Sequence, residues 1–238
     1  MSAAAHDPIA QRECVLALER LRVDGVDGDP GSAVQADMRL AAGEIVLVHV
    51  ARPAQGSLLA DACVGVLRPA QGRVRFLGQD WQALSLREAN ALRALVGRVF
   101  YRGNWLDHLN IRDNVLLPLM HHTTRSSRAL IEEAQGLARQ FGLPGLPDGF
   151  AEFSERGDLQ RAACVRAFLG SPRLIVLEHP TAGIFEQVLP ALVRTLRAAC
   201  ERGAAVLWIT PSLSVWHAPM LPASRRLRIA RGMLMGGE

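Results

Sequence analysis

Glu178 and His179 stand side by side in Arg173 to Phe185, which reads R-L-I-V-L-E-H-P-T-A-G-I-F. A carboxylate next to an imidazole can hold a ligand or polarise water, and it can equally be two solvated polar groups. Its neighbours place the pair at a strand end. Leu174 to Leu177 is an unbroken apolar run, as in strands that parallel sheets bury on both faces. Pro180 then stops the ladder and Gly183 lets the chain turn. Ligands in open α/β sheets bind beyond the carboxyl ends of strands, so the pair reads first as a site, with a bare strand terminus as the alternative.

Other chemistry is narrowed by composition. The 238 residues contain no lysine, and all 27 basic side chains are arginine. Reactions that need a compact ammonium are therefore closed to this chain. Cys14, Cys63, Cys164 and Cys200 lack metal-ligand spacing and read as reduced, mostly buried thiols. The net charge is +4, yet the arginines are scattered and only one tyrosine is present, which argues against a nucleic-acid partner. With 49% hydrophobic and 21% charged residues the chain folds, and no apolar run approaches the roughly 18 residues of a membrane span. Met1 to Asp7 lacks the look of a signal peptide, so a cytoplasmic location is expected.

The elements that must position these residues follow from periodicity. Cys14 to Val23 reads as an edge strand, Asp24 to Gly31 as a turn, and Val34 to Leu40 and Ile45 to Val50 as strands. Ala51 to Gly56 reads as a loop before a helix over Ser57 to Leu67, and Arg73 to Leu77 as a further strand. Ser85 and Glu88 form a capping box that opens a helix to about Leu95, and Val99-Phe100 ends a short strand. Residues 102 to 172 are helical and amphipathic, with a helix over Asn110 to Met120 broken at Pro118 and others over Arg128 to Phe141 and Leu159 to Leu169. Val188 to Cys200 is a helix, Ala204 to Ile209 a buried strand, and Arg226 to Met235 a hairpin. The order is that of an α/β sheet domain with an antiparallel β part at its start and a helical subdomain inserted at 102–172.

The phrases G-E-I-V-L-V, G-V-L-R-P-A-Q-G-R-V-R-F-L-G-Q-D, G-R-V-F, I-R-D-N-V-L-L-P-L, Q-R-A-A-C-V-R-A-F-L-G-S-P-R-L-I-V-L-E-H-P-T-A-G and V-L-W-I-T follow one another in this order. Together they resemble the ATP-binding subunit of an ABC transporter across nearly the whole chain. The resemblance implies a P-loop NTPase-like cassette, a mixed α/β fold forming one domain over 1–238. The segment N-W-L-D-H-L-N-I-R-D-N-V-L-L-P-L looks most like ATPases of lipid-handling permeases of the mammalian-cell-entry type.

At the positions where the family does chemistry, this chain departs from the pattern. A phosphate loop needs glycines for close backbone approach, a lysine for the β/γ-phosphates and a Ser/Thr for Mg²⁺. Here Arg52, Gln55, Gly56, Ser57 and Leu58 fill that stretch, with Gly56 at the lysine position and Pro53 removing a donor. Ser57 keeps the Mg²⁺ position and Glu178 replaces the Mg²⁺-ordering aspartate, leaving these two as weak metal candidates. His179 takes the place of the catalytic glutamate, Tyr101 that of the glutamine sensing the attacking water, and Pro211 that of the switch histidine. Tyr101 can equally be a packing aromatic at a subdomain junction. No tyrosine stands near Val23 to Gly25 to stack on adenine, and Phe185 replaces an aspartate of the dimer interface. Ser154, Glu155, Arg156, Gly157 and Asp158 replace the signature L-S-G-G-Q, setting two carboxylates against a triphosphate.

The expectation is a degenerate, pseudo-ATPase cassette with no assigned catalytic residue and no confident cofactor beyond residual Mg-ATP. Its implied partners are an integral membrane permease and another cassette, which would hold it on the inner face of the cell membrane. Trp105, Leu106, Leu109 and Val115 to Leu117 could form the docking surface, or subdomain core. The alternatives are a divergent working ATPase using Arg52, Ser57, Glu178 and His179, and a soluble adaptor.

Overall fold

The computed structural model describes residues 13–25 and 30–237. Its strands are β1 (Cys14–Val23), β2 (Val34–Ala41), β3 (Ile45–Val50), β4 (Gln71–Phe76), β5 (Gln79–Asp80), β6 (Val96–Val99), β7 (Leu174–Glu178), β8 (Ala205–Thr210), β9 (Arg225–Ala230) and β10 (Met233–Gly236). The helices are α1 (Pro53–Cys63), α2 (Leu86–Arg93), α3 (Ile111–His122), α4 (Ser127–Gln140), α5 (Arg156–Phe168), α6 (Phe185–Glu201) and the single turn α7 (Leu213–Trp216).

The strands form one mixed sheet in the order β5-β4-β1-β2-β10-β9-β3-β8-β7-β6. From β9 to β6 the neighbours run parallel, while β1 pairs antiparallel with β2 and β4. Residues of β7 and β8 are buried throughout, which is why they read as apolar runs without alternation. By contrast β2 alternates buried and exposed along its length, as a strand with one face in the core does.

Two apolar layers sandwich the sheet. Leu174 and Val176 face α1 together with Leu58, Leu59 and Ala62. Ile175 and Leu177 face the opposite way, onto a core built from α3, α4, α5 and α6. That alternation along β7 puts Glu178 on the α1 side, since side chains two apart share a face.

Several boundaries differ from the sequence reading. The first strand is interior, held between β2 and β4, and the sheet ends instead at β5 and β6. The turn expected over Asp24 to Gly31 falls largely on 26–29, outside the described residues. Helices α1, α5 and α6 each begin three or four residues before the periodic apolar pattern does. Residues of a first turn need not face the core, so apolar spacing does not register there. Pro118 does not break α3, which continues to His122. Its ring lies on the exposed side, clear of the core that the helix covers. The Ser85–Glu88 capping box is formed as expected.

Candidate functional site

The stretch expected to be a loop is mostly helix. Only Ala51 and Arg52 separate the end of β3 from the start of α1. Pro53 supplies a pre-set φ and lacks the donor that a first helical residue would leave unpaired, so it starts the helix early. Arg52 is the N-cap, with no side-chain capping bond. Gln55 is buried, and its Nε2 donates to the Gly31 carbonyl at 3.0 Å. Gly56 is buried against β8: a Cβ there would sit 2.8 Å from Ile209 Cγ2. Leu58 belongs to the α1-side core.

Ser57 and Asp61 lie four residues apart on α1 and so share one helix face. Ser57 Oγ donates to Glu178 Oε2 at 2.7 Å. The other oxygen, Oε1, accepts from Arg98 Nε at 2.9 Å and Nη2 at 2.7 Å. Arg98 reaches Asp61 Oδ1 with Nη1, also at 2.7 Å. Glu178 is only 3% exposed and the Arg98 side chain 9%, so this is a desolvated ion pair, while Asp61 at 34% keeps contact with solvent. Glu178 is thus neither a solvated strand terminus nor an open acid. The Arg98 guanidinium also lies 4.3 Å from the Phe100 ring centroid.

A second guanidinium, Arg166 of α5, lies 5.2 Å from the same ring and 4.7 Å from Trp105. It donates to the carbonyls of Asn104 and Gly103. Burial first, and then the charge of Arg98, pull its pKa down to about 10. Ser57, Arg98, Tyr101, Arg102 and Glu178 line a cleft of about 280 Å³ between α1 and the end of β6.

His179 directly follows β7 in a left-handed backbone conformation, φ 48°. Its backbone N–H donates to the Ile209 carbonyl at 2.8 Å. Nδ1 is 3.3 Å from Thr210 Oγ1, and the ring centroid is 6.2 Å from that of Tyr101. Burial lowers its pKa, which favours the neutral imidazole. Tyr101 itself is 39% exposed at the cleft. Pro211 follows β8, and the next residue, Ser212, caps the short α7.

The signature-like residues open α5. Ser154 Oγ donates to the Phe150 carbonyl, Glu155 is the N-cap without a side-chain bond, and Arg156, Gly157 and Asp158 form the first turn. Asp158 is turned onto Arg161 at 2.9 Å, so its charge is compensated within the helix. Of the two carboxylates expected to repel a triphosphate, Glu155 is the one left exposed without a side-chain capping bond. The free thiols are Cys63 and Cys164, buried, and Cys14 and Cys200, partly buried.

Arg98 and Asp61 were not anticipated from the sequence. The signal for Asp61 was its spacing from Ser57 on one helix face. For Arg98 the signal was a charged residue inside a short strand of otherwise apolar and glycine residues.

A ten-stranded mixed sheet with α1 after β3 and an acid at the end of β7 is the architecture of a nucleotide-binding cassette. The pattern of the ABC transporter family matches residues 34–182, and the chain belongs to that family. It is 30% identical over 189 residues to the nickel import ATP-binding protein NikE of Pseudomonas putida, covering 75% of this chain and 67% of that one. It is 29% identical over 202 residues to the macrolide export ATP-binding/permease protein MacB of Rhodopirellula baltica, covering 83% of this chain and 29% of MacB. The methionine import ATP-binding protein MetN of Cupriavidus metallidurans is 27% identical over 195 residues, with 82% and 56% covered. The chain therefore spans under a third of MacB and just over half of MetN. A bacterial ABC transporter cassette solved as a dimer superposes with a TM-score of 0.80 over 92% of this chain and 96% of that one, at 19% identity. Among the described residues no helix is long and apolar enough to cross a membrane.

Proposed function

We propose that this chain is a pseudo-ATPase subunit of an ABC transport system, a structural or regulatory partner of a permease and of a second cassette. The observation that carries the proposal is the direct Ser57–Glu178 hydrogen bond with Arg98 on the other carboxylate oxygen. In the family pattern these two side chains serve Mg²⁺, and here they serve each other and a guanidinium. The residues present do not fit a magnesium–nucleotide held in the family's manner. The two-residue link before α1 offers no cradle of backbone N–H groups, and Gly56 has no room for a lysine side chain without displacing Ile209.

His179 lacks the setting of a general base. Its Nδ1 faces a threonine hydroxyl, and among the described residues the link before α1 is only Ala51 and Arg52, too short to wrap a phosphate and position a reactant. No reaction step is assigned to it. The transported cargo is proposed to be lipid-related on the strength of the Asn104 to Leu119 resemblance alone. Residues 102–172 are proposed as the inserted helical subdomain of a single cassette, peripheral on the inner membrane face through its permease.

Within the suggested docking segment the side chains divide. Val115 and Leu116 are core, Trp105 (under Arg166) and Leu109 are partly buried, and Leu106 and Leu117 are exposed, as is Met120 just beyond the segment. The contact with a permease is accordingly assigned to Leu106, Leu117 and Met120. Co-purification from detergent-solubilised membranes followed by ATP turnover of the complex tests the function. The expected result is a permease in the complex and a turnover unchanged by His179→Ala. A turnover abolished by His179→Ala would show a working ATPase instead.

A further inference from the structure

The family resemblance assigns Arg98 no role, yet it is the centre of the site. A carboxylate as buried as Glu178 needs a counter-charge, because an unpaired ion in that setting is costly. A cassette can take that charge from solution, as a metal ion, or carry it on its own chain. We propose that Arg98 is a built-in cation that permanently replaces a dissociable divalent ion as the counter-charge of Glu178. This deepens the pseudo-ATPase reading at the same site.

Every arm of the guanidinium is committed. Nε and Nη2 grip Oε1 of Glu178, Nη1 grips Asp61, and the Phe100 ring lies against the guanidinium. Ser57 holds Oε2, so both oxygens of the carboxylate are engaged by protein donors. Arg166 lies on the same ring but donates to the carbonyls of Asn104 and Gly103, so the ion pairs of Glu178 and Asp61 are with Arg98. Being covalent, this cation cannot be chelated or exchanged. The register explains how it gets there: β6 pairs parallel with β7, setting Arg98 beside Val176, two residues before Glu178 on the same face. The consequence is a cassette whose α1–β7 junction is fixed in one state, independent of metal and nucleotide.

Arg98→Ala tests this by leaving Glu178 buried and unpaired. The expected loss in melting temperature is roughly 6–20 °C for a chain of this size. Low millimolar guanidinium or Mg²⁺ should restore part of it, while KCl of equal ionic strength should not. Adding Glu178→Gln should recover stability and remove the cation response, because no orphaned charge remains. In the wild type, Mn²⁺ titration followed by electron paramagnetic resonance should show no binding lost on Glu178→Gln, and EDTA should leave the melting temperature unchanged.

A melt of Arg98→Ala that matches wild type, or that ignores guanidinium and Mg²⁺, would overturn the proposal. So would Mn²⁺ bound by the wild type and released by Glu178→Gln, a measurement that decides the matter even if Arg98→Ala is insoluble. Mg-ATP bound by the wild type while the Arg98→Ala rescue holds would remove the pseudo-ATPase reading and leave the role of Arg98 standing.

Discussion

Placing a lysine at Gly56 is the most direct perturbation of the proposed loss of nucleotide binding, and the packing around Gly56 predicts that Gly56→Lys fails. Gly56 lies inside α1, so replacing it gains helix propensity of about 1 kcal/mol. Against that, a Cβ would meet Ile209 Cγ2 at 2.8 Å and Val50 Cγ2 at 3.4 Å. The first contact is well inside van der Waals distance. Ile209 is 2% exposed on β8 and β-branched, so its methyl cannot swing aside easily. Overpacking of this kind costs roughly 1–3 kcal/mol, which leaves Gly56→Ala destabilised by about 1 kcal/mol net. The lysine must also thread its stem past the same methyl, raising the expected cost to about 2–4 kcal/mol. In a chain of this length that is a fall in melting temperature of roughly 4–16 °C. The assay is differential scanning fluorimetry of wild type, Gly56→Ala and Gly56→Lys, with and without Mg-ATP. A Gly56→Lys protein as stable as wild type, or one whose melting temperature rises with Mg-ATP, would refute the packing argument.

Three further outcomes follow from burial. His179 has its pKa held below the usual histidine value of 6.5 by burial, so the unfolded chain binds its proton first as pH falls. Its contribution is complete above about 6.5 and declines below it, and His179→Asn, which tolerates the left-handed backbone, should flatten the melting-temperature profile between pH 7 and 5. A profile as steep in the variant as in wild type would remove His179 as the cause. Along α3, Leu116→Ala should cost about 2–5 kcal/mol in a denaturant melt, because Leu116 is 2% exposed. Leu117→Glu should leave stability within about 0.5 kcal/mol and reduce recovery of the permease, Leu117 being 41% exposed.

Much of the fold was readable because its central strands have little freedom. Leu174 to Leu177 and Ala205 to Ile209 are buried on both faces, so any sequence that keeps them must stay apolar there. The absence of lysine can likewise be read from composition alone, and what it means for nucleotide binding is the proposal made above. What escaped was the local consequence. In sequence Pro53 reads as a lost donor in a loop, whereas at the first helical position a missing donor is no loss, and α1 starts there. Arg98 escaped because its meaning lies 80 residues away in the chain and depends on the β6–β7 register. A strand of four residues carries too little alternation to reveal which face its one charged side chain takes. Likewise Val115, Leu116 and Leu117 are equally apolar in sequence, and only the packing of α3 separates core from surface.

The central claim is that the fold has kept the cassette and lost the nucleotide. Isothermal titration of Mg-ATP into the purified wild-type protein tests it most directly. The account predicts no saturable binding through the micromolar range and no change when Mg²⁺ is removed. A micromolar Kd that requires Mg²⁺ and is lost with Ser57→Ala would contradict it.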